Sequence, residues 1–283
     1  MILYSGDIVA VPSTVESFGG IRGNKNTETP NKDMFVEGPW LYKRNNLYYM
    51  MFAGMGKGGE TLSYSTSASL IGPSKYQGKI MEDQKLNSFT NHGGIIDYKD
   101  NSYLFYHSGL LPNGGSYGRA SCIEQFTYNA DGTIPAIIAT KEGPKPVGEI
   151  NPYKRVEAGT MAWSQKCSIA QHSDVRIYVT GTRTNSYIKV REVNFGMKSL
   201  KSFSASLAAG IDGGILEVRL DSISEPIISS VQVPRTGGWE IFETFKEELK
   251  QKVTGKHDIF FCFNGVNITA GRELFNFDYW VFN

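Results

Sequence analysis

The sequence predicts an almost entirely β-stranded chain folded as two domains, and three observations carry that reading. Short runs rich in Tyr, Phe, Ile and Val recur between turns of Gly, Asn, Asp and Ser, while sustained helical periodicity is hard to find. One hairpin pattern occurs twice, as Trp40-Leu-Tyr-Lys-Arg-Asn-Asn-Leu-Tyr-Tyr-Met-Met-Phe52 and Gly94-Ile-Ile-Asp-Tyr-Lys-Asp-Asn-Ser-Tyr-Leu-Phe-Tyr106. Tyr49 superposes on Tyr103 at an offset of 54 residues, a spacing that fits propeller blades. Finally, the texture changes after a stretch from Lys141 to Pro152 that holds three prolines, two glycines and little apolar content. A length of 283 residues accommodates two domains of roughly 100 to 200 residues each.

Taken in order, each copy of the hairpin is a strand, a polar tight turn and an aromatic return strand. Thr61-Leu-Ser-Tyr-Ser-Thr followed by Ile71-Gly-Pro-Ser reads as a further strand of the first blade with its exit turn, and Tyr128-Asn-Ala-Asp-Gly-Thr-Ile134 as another strand and turn. Beyond the boundary, Tyr187-Ile-Lys-Val-Arg-Glu-Val, Ser202-Phe-Ser-Ala-Ser-Leu-Ala, Ile215-Leu-Glu-Val-Arg-Leu and Ile259-Phe-Phe-Cys-Phe alternate apolar with polar or small residues, the pattern of a β-sandwich. Glu243-Thr-Phe-Lys-Glu-Glu-Leu-Lys-Gln-Lys is rich in helix formers but short and set between β segments, so it reads as a strand entering a charged loop.

A formal net charge of +1, with no long block of like charge, argues against a nucleic-acid binder or a polybasic membrane anchor. No apolar run approaches the roughly 18 residues of a membrane span. Met1 to Asp7 lacks the basic start and apolar stretch of a signal peptide. Cys122, Cys167 and Cys262 are odd in number and far apart, which suggests buried packing thiols, neither a disulfide framework nor a CxxC metal site.

Phe35-Val-Glu-Gly-Pro-Trp40 followed by Lys43-Arg-Asn-Asn-Leu-Tyr-Tyr resembles the general-acid motif and following hairpin of family 43 glycoside hydrolases. The similarity continues through Thr90-Asn-His-Gly-Gly-Ile, Tyr103-Leu-Phe-Tyr-His107, Arg119-Ala-Ser-Cys-Ile-Glu and Tyr128 to Ile134. The resemblance implies a five-bladed β-propeller whose axial pocket hydrolyses arabinose- or xylose-containing plant polysaccharides with inversion. It also implies Glu37 as general acid, His92 near the propeller axis as a pocket residue that helps organise a central cation or water, and Arg119 facing the sugar. His107 reads most simply as a strand-end packing residue.

The chemistry sets its own demands. A glycosidic oxygen leaves poorly unless protonated, so the acid must hold its proton near neutral pH, through burial or a neighbouring negative charge. Phe35, Val36 and Trp40 are the neighbours expected to supply burial. Inversion also needs a second carboxylate roughly 6.5–9.5 Å away. Asp33 is nearest in sequence, but four extended residues span about 13 Å. In the family the base lies close to the start of the catalytic domain, and an aspartate that tunes the acid lies between base and acid. Leu3 to Pro12 resembles the strand just ahead of the acid motif, so Asp7 corresponds to neither. The expectation is a partial propeller with its N-terminal blades missing, and little or no glycosidase activity for this chain alone.

The second half resembles a family 6 carbohydrate-binding module. The match runs in family order through Tyr153-Lys-Arg-Val-Glu-Ala, Tyr187 to Gly196, Lys201-Ser-Phe-Ser-Ala, Gly213-Gly-Ile-Leu-Glu-Val-Arg-Leu-Asp-Ser, Val233-Pro-Arg-Thr-Gly-Gly-Trp239 and Leu274-Phe-Asn-Phe-Asp-Tyr-Trp280. A jelly-roll β-sandwich that binds xylan or related β-glycans is implied. Sugar rings stack their C–H faces on aromatic planes while polar groups fix their orientation. Trp239, presented after Thr-Gly-Gly, is the expected platform, Tyr178 the opposing face, and Asn276 a hydrogen-bonding partner of hydroxyls. A structural calcium is common in such modules, and Glu157 and Asp278 are the candidate ligands, although Glu157-Ala-Gly stands where the family usually shows Glu-Ala-Glu.

The sequence therefore divides into a partial propeller over 1–142, a linker over 143–151 and a binding module over 152–283. Together they imply an arabinofuranosidase or xylosidase that acts on arabinoxylan or xylan of the plant cell wall, with no organic cofactor and an extracellular setting. The competing reading is a non-catalytic polysaccharide-binding protein in which the module alone carries function.

Overall fold

The computed structural model describes residues 10–20, 35–55, 59–81, 86–110, 114–115, 117–173, 176–197, 200–269 and 271–283. Asp7 and Asp33 lie outside the described residues. The chain separates into two compact units, Met1–Pro144 and Lys145–Asn283. Among the described residues no helix is long and apolar enough to cross a membrane.

Among the described residues the first element of the first unit is a single helical turn, α1 (Val15–Phe18), capped by the Thr14 hydroxyl, which accepts from Ser17 N at 3.2 Å. Strands β1 (Phe35–Arg44), β2 (Leu47–Met55), β3 (Glu60–Ser67) and β4 (Lys75–Met81) form an antiparallel meander in sequence order. Strands β5 (Gly94–Tyr98), β6 (Asn101–Ser108) and β7 (Ala120–Phe126) form a second. Meanders of this kind are what propeller blades are made of. The repeated hairpins turn through Asn45-Asn46 and Lys99-Asp100, since Arg44 pairs with Leu47 and Tyr98 with Asn101. Positive φ at Asn45, Lys99 and Asp100 gives these two-residue turns the twist that antiparallel strands need. Tyr49, Met51, Leu62, Tyr64, Ile80, Leu104 and Tyr106 join both sheets in one core.

One expected strand is absent. Residues 127–129 carry no ladder, because the Asp131 carboxylate accepts from Thr133 N at 2.9 Å and Asn129 N donates to Thr133 O at 2.9 Å. These local bonds close a turn in place of strand pairing.

The second unit contains β8 (Val156–Glu157), β9 (Trp163–Gln165), β10 (Ser168–Ser173), β11 (Arg176–Thr180), β12 (Ser186–Gly196) and β13 (Ser202–Ala208). It continues with β14 (Gly214–Leu220), β15 (Ile227–Val233), β16 (Glu243–Glu248), β17 (Gly255–Gly265) and β18 (Asn276–Phe282). One sheet runs β10-β11-β18-β13-β16, with β8 on β18, and the other runs β15-β14-β17-β12-β9. They face each other across an aromatic core in which Phe261 of β17 meets Phe277 and Trp280 of β18, each at 5.3 Å between ring centroids. This is the jelly-roll sandwich, and β16 is the strand read at Glu243.

The division between the units falls within 143–151, and residues 145–151 group with the second unit. Ile150 exchanges backbone hydrogen bonds with β12, donating to Glu192 O and accepting from Asn194 N, both at 3.0 Å, while Glu149 pairs with Lys256. All three cysteines are free, and burial pushes the Cys167 and Cys262 thiols up to about 11, leaving them as unreactive thiols.

Candidate functional sites

Glu37 sits near the start of β1, where the ladder to β2 shifts register on both sides of it. Such a bulge re-aims a side chain. Gly38 has φ +63°, and a Cβ there would lie 3.1 Å from the His92 ring, so this turn is built around the imidazole. His92 Nε2 lies 3.0 Å from Glu37 Oε1. The meander brings Glu60, paired with Met55, to the same end of the sheet. Asn91 N donates to Glu60 Oε2 at 2.9 Å, so the Glu60 carboxylate is held against the loop that carries His92. Burial pushes the Glu60 carboxyl up and the Glu37 charge adds to that, while the Asn91 amide and His92 oppose.

Burial by Phe35 and Trp40 is not what Glu37 experiences. Its side chain is 51% exposed, because Phe35 turns into a cluster with Phe18 and Phe52 while Trp40 lies across β5, its Nε1 donating to Ile95 O at 3.1 Å. The group that the structure brings to Glu37 is a second carboxyl, that of Glu60. Donor atoms of Glu37, Glu60 and His92 all lie within 4.8 Å of one another, so this trio is also where a cation could sit. Arg119 borders the same loop, its Nη1 donating to Thr90 Oγ1 at 3.2 Å. His107 does more than pack at a strand end: its Nε2 bonds Thr90 O at 2.7 Å.

In the second unit Tyr178, Trp239 and Asn276 line one cleft of about 500 Å³, together with Thr180, Glu240, Ile241 and Glu273. Trp239 is 36% exposed. Two contacts fix it: Asn276 Nδ2 donates to Trp239 O at 2.5 Å, and Gly210 flanks the indole so closely that a Cβ there would lie 2.5 Å from Nε1. Asn276 is buried and spends its amide on the loop that carries the Trp239 indole, so it acts on Trp239 as well as lining the cleft. Tyr178 differs from the expected open face. Only 5% exposed, it packs on Phe242 at 5.3 Å and its hydroxyl donates to Glu240 Oε1 at 3.1 Å. Glu240 also pairs with His172 at 2.9 Å. The sequence reading missed Glu60, Glu240 and Glu273; for Glu240, adjacency to Trp239 was the available signal.

Glu157 and Asp278 do meet, through the pairing of β8 with β18, but not as a calcium site. Arg155 binds both Glu157 oxygens, at 2.7 and 3.0 Å, and lies 3.5 Å from Asp278 Oδ1. Arg176 lies 3.5 Å from Asp278 Oδ2, which also accepts from Ser206 Oγ at 3.3 Å. Calcium takes six to eight oxygens. Here the two carboxylates already face cations, and Gly159 adds no side-chain oxygen, so these residues do not fit the metal.

Residues 14–134 match the model for glycosyl hydrolases family 43, and residues 157–283 match that for the carbohydrate binding module (family 6). A segment similar to family 43 glycosyl hydrolases is thus followed by one similar to family 6 carbohydrate-binding modules. An arabinoxylan arabinofuranohydrolase of Bacillus subtilis (strain 168) is 32% identical over 90% of this chain and 52% of its own length. Another, from Paenibacillus polymyxa, is 28% identical over 87% of this chain and 42% of its own length. The crystal structure of a family 43 arabinoxylan arabinofuranohydrolase from Bacillus subtilis, in complex with cellotetraose, superposes with a TM-score of 0.71 at 30% identity, covering 88% of this chain and 54% of that one. The chain thus spans about half the length of the curated relatives it matches. The family 43 segment contains the Glu37 corner, and the family 6 module contains the Trp239 cleft.

Proposed function

We propose that this chain binds a xylan-type polysaccharide in the Trp239 cleft of its family 6 module and that its family 43 segment supplies Glu37 as the general acid for inverting hydrolysis of an arabinose or xylose linkage in plant arabinoxylan. The observation that carries the binding half is the convergence of Trp239, Tyr178 and Asn276, distant in sequence, on one open cleft. A half-exposed indole offers a plane for the C–H face of a sugar, and Glu240, Glu273 and Thr180 offer acceptors and donors to its hydroxyls. The catalytic half is supported by the Glu37, Glu60 and His92 trio, which brings a second carboxyl group and an imidazole to the acid motif.

A second reading is favoured by one distance. The carboxylate that the described residues bring to Glu37 is Glu60, within 4.8 Å, and an inverting pair needs roughly 6.5–9.5 Å to seat a water. Glu60 therefore serves as a neighbour of the acid and not as its base. On this reading the chain by itself binds without turnover.

Calorimetric titration with a soluble xylo-oligosaccharide tests the binding half. Saturable binding by the native chain that is lost in Trp239→Ala is expected, and equal binding by both would refute the platform. Release of arabinose or xylose from arabinoxylan by the purified chain, abolished in Glu37→Gln, would exclude the binding-only reading.

A further inference from the structure

The disagreement between the expected calcium site and the residues present carries an inference of its own, independent of what the cleft binds. We infer that Arg155 and Arg176 stand in for a structural metal: the chain's own guanidinium groups neutralise the Glu157 and Asp278 carboxylates and hold the first strand of the module to its last. Charge balance is the first support. Two carboxylates face two guanidiniums, whereas a bound divalent ion beside both arginines would set four positive charges against two negative ones.

Geometry is the second. Asp278 is 0% exposed and touches a cation on each oxygen, with Ser206 as a further donor. Arg155 bridges Glu157 of β8 to Asp278 of β18, across the strand pair in which Tyr279 faces Glu157 and Trp280 faces Val156. Both guanidiniums also lie over aromatic rings, Arg155 at 4.1 Å from the Tyr279 centroid and Arg176 at 4.8 Å from Phe242. A metal would have to displace groups that are held by charge and by stacking together. β8 is only two residues long, with its ladder limited to those two pairs, so the Arg155 bridge adds a side-chain tie to a short backbone attachment that includes Ala158 N donating to Asp278 O at 2.7 Å.

Melting of the full chain in EDTA and in millimolar calcium chloride tests the inference, using the native sequence, Glu157→Gln, Arg155→Met and the double variant Arg155→Ala/Gly159→Glu. Gly159 has room for a side chain, since a Cβ there meets only Ile169 Cδ1 at 3.8 Å. The native chain and Glu157→Gln are expected to respond to calcium identically, Arg155→Met to melt about 3–6 °C lower in EDTA, and the double variant to gain a calcium-dependent rise of about that size. A calcium-dependent rise in the native chain that Glu157→Gln lacks would overturn the inference, as would an unchanged melting temperature in Arg155→Met. The native and Glu157→Gln comparison stays decisive even where the double variant fails to fold.

Discussion

The two candidate sites both contain a pair of glutamates and are built differently. In the cleft, Tyr178 on β11, Trp239 before β16 and Asn276 on β18 come from strands of one sandwich and the loops they support. The Glu37 corner gathers the β1 bulge, the first residue of β3 and the loop ahead of β5, and the carboxylate it pairs with the acid is too close to be a base. Binding a sugar face needs one platform and a few polar groups on a single surface. Inverting a glycosidic bond needs two carboxylates on opposite sides of a substrate, which a propeller supplies from different blades.

That contrast can be broken at either site. The largest effect is expected from Gly210→Ala, whose added methyl must push the Trp239 indole aside; affinity for a soluble xylo-oligosaccharide should fall about tenfold, or about 1.4 kcal/mol, by calorimetry. Gly38→Ala should cost about 1 kcal/mol in chemical unfolding through its positive φ and the His92 ring beneath it, and leave xylan affinity unchanged. A loss of binding in that variant would show that the two sites are not separate. Glu240→Gln, which weakens the Tyr178 and His172 contacts behind the cleft, should reduce affinity about threefold.

The smallest effect concerns pH. Burial, with Arg119 and His92 nearby, depresses His107, although its bond to Thr90 works the other way. A depressed base binds its proton in the unfolded chain first, so its contribution is fully present above about pH 6.5 and is lost as pH falls toward the folded value. Melting should therefore decline modestly between pH 7.5 and 5.5, and His107→Asn should flatten that slope.

Much of this was legible in the sequence. Aromatic alternation and the polar turns at Asn45-Asn46 and Lys99-Asp100 give the repeated hairpins directly, because strand period and turn chemistry are local properties. Trp239 was legible because two glycines before an indole make a presenting loop. What escaped are residues placed by pairings between distant strands. Glu60 becomes a partner of Glu37 only through the β1-β2-β3 register, and Arg155 and Arg176 reach Asp278 only because β8 and β11 both pair with β18. The exposure of Glu37 was misjudged for a related reason. Counting Phe35 and Trp40 as its cover assumed a regular strand, and the bulge at Gly38-Pro39 sends the rings elsewhere.

The central claim is that the cleft of the family 6 module carries the binding function without help from the Glu37 corner. Depletion of the purified chain from solution by insoluble xylan, measured side by side for the native sequence, Glu37→Gln and Trp239→Ala, tests it most directly. The account predicts equal retention of the native chain and Glu37→Gln and loss of retention in Trp239→Ala. Full retention of Trp239→Ala, or loss of retention in Glu37→Gln, would contradict it.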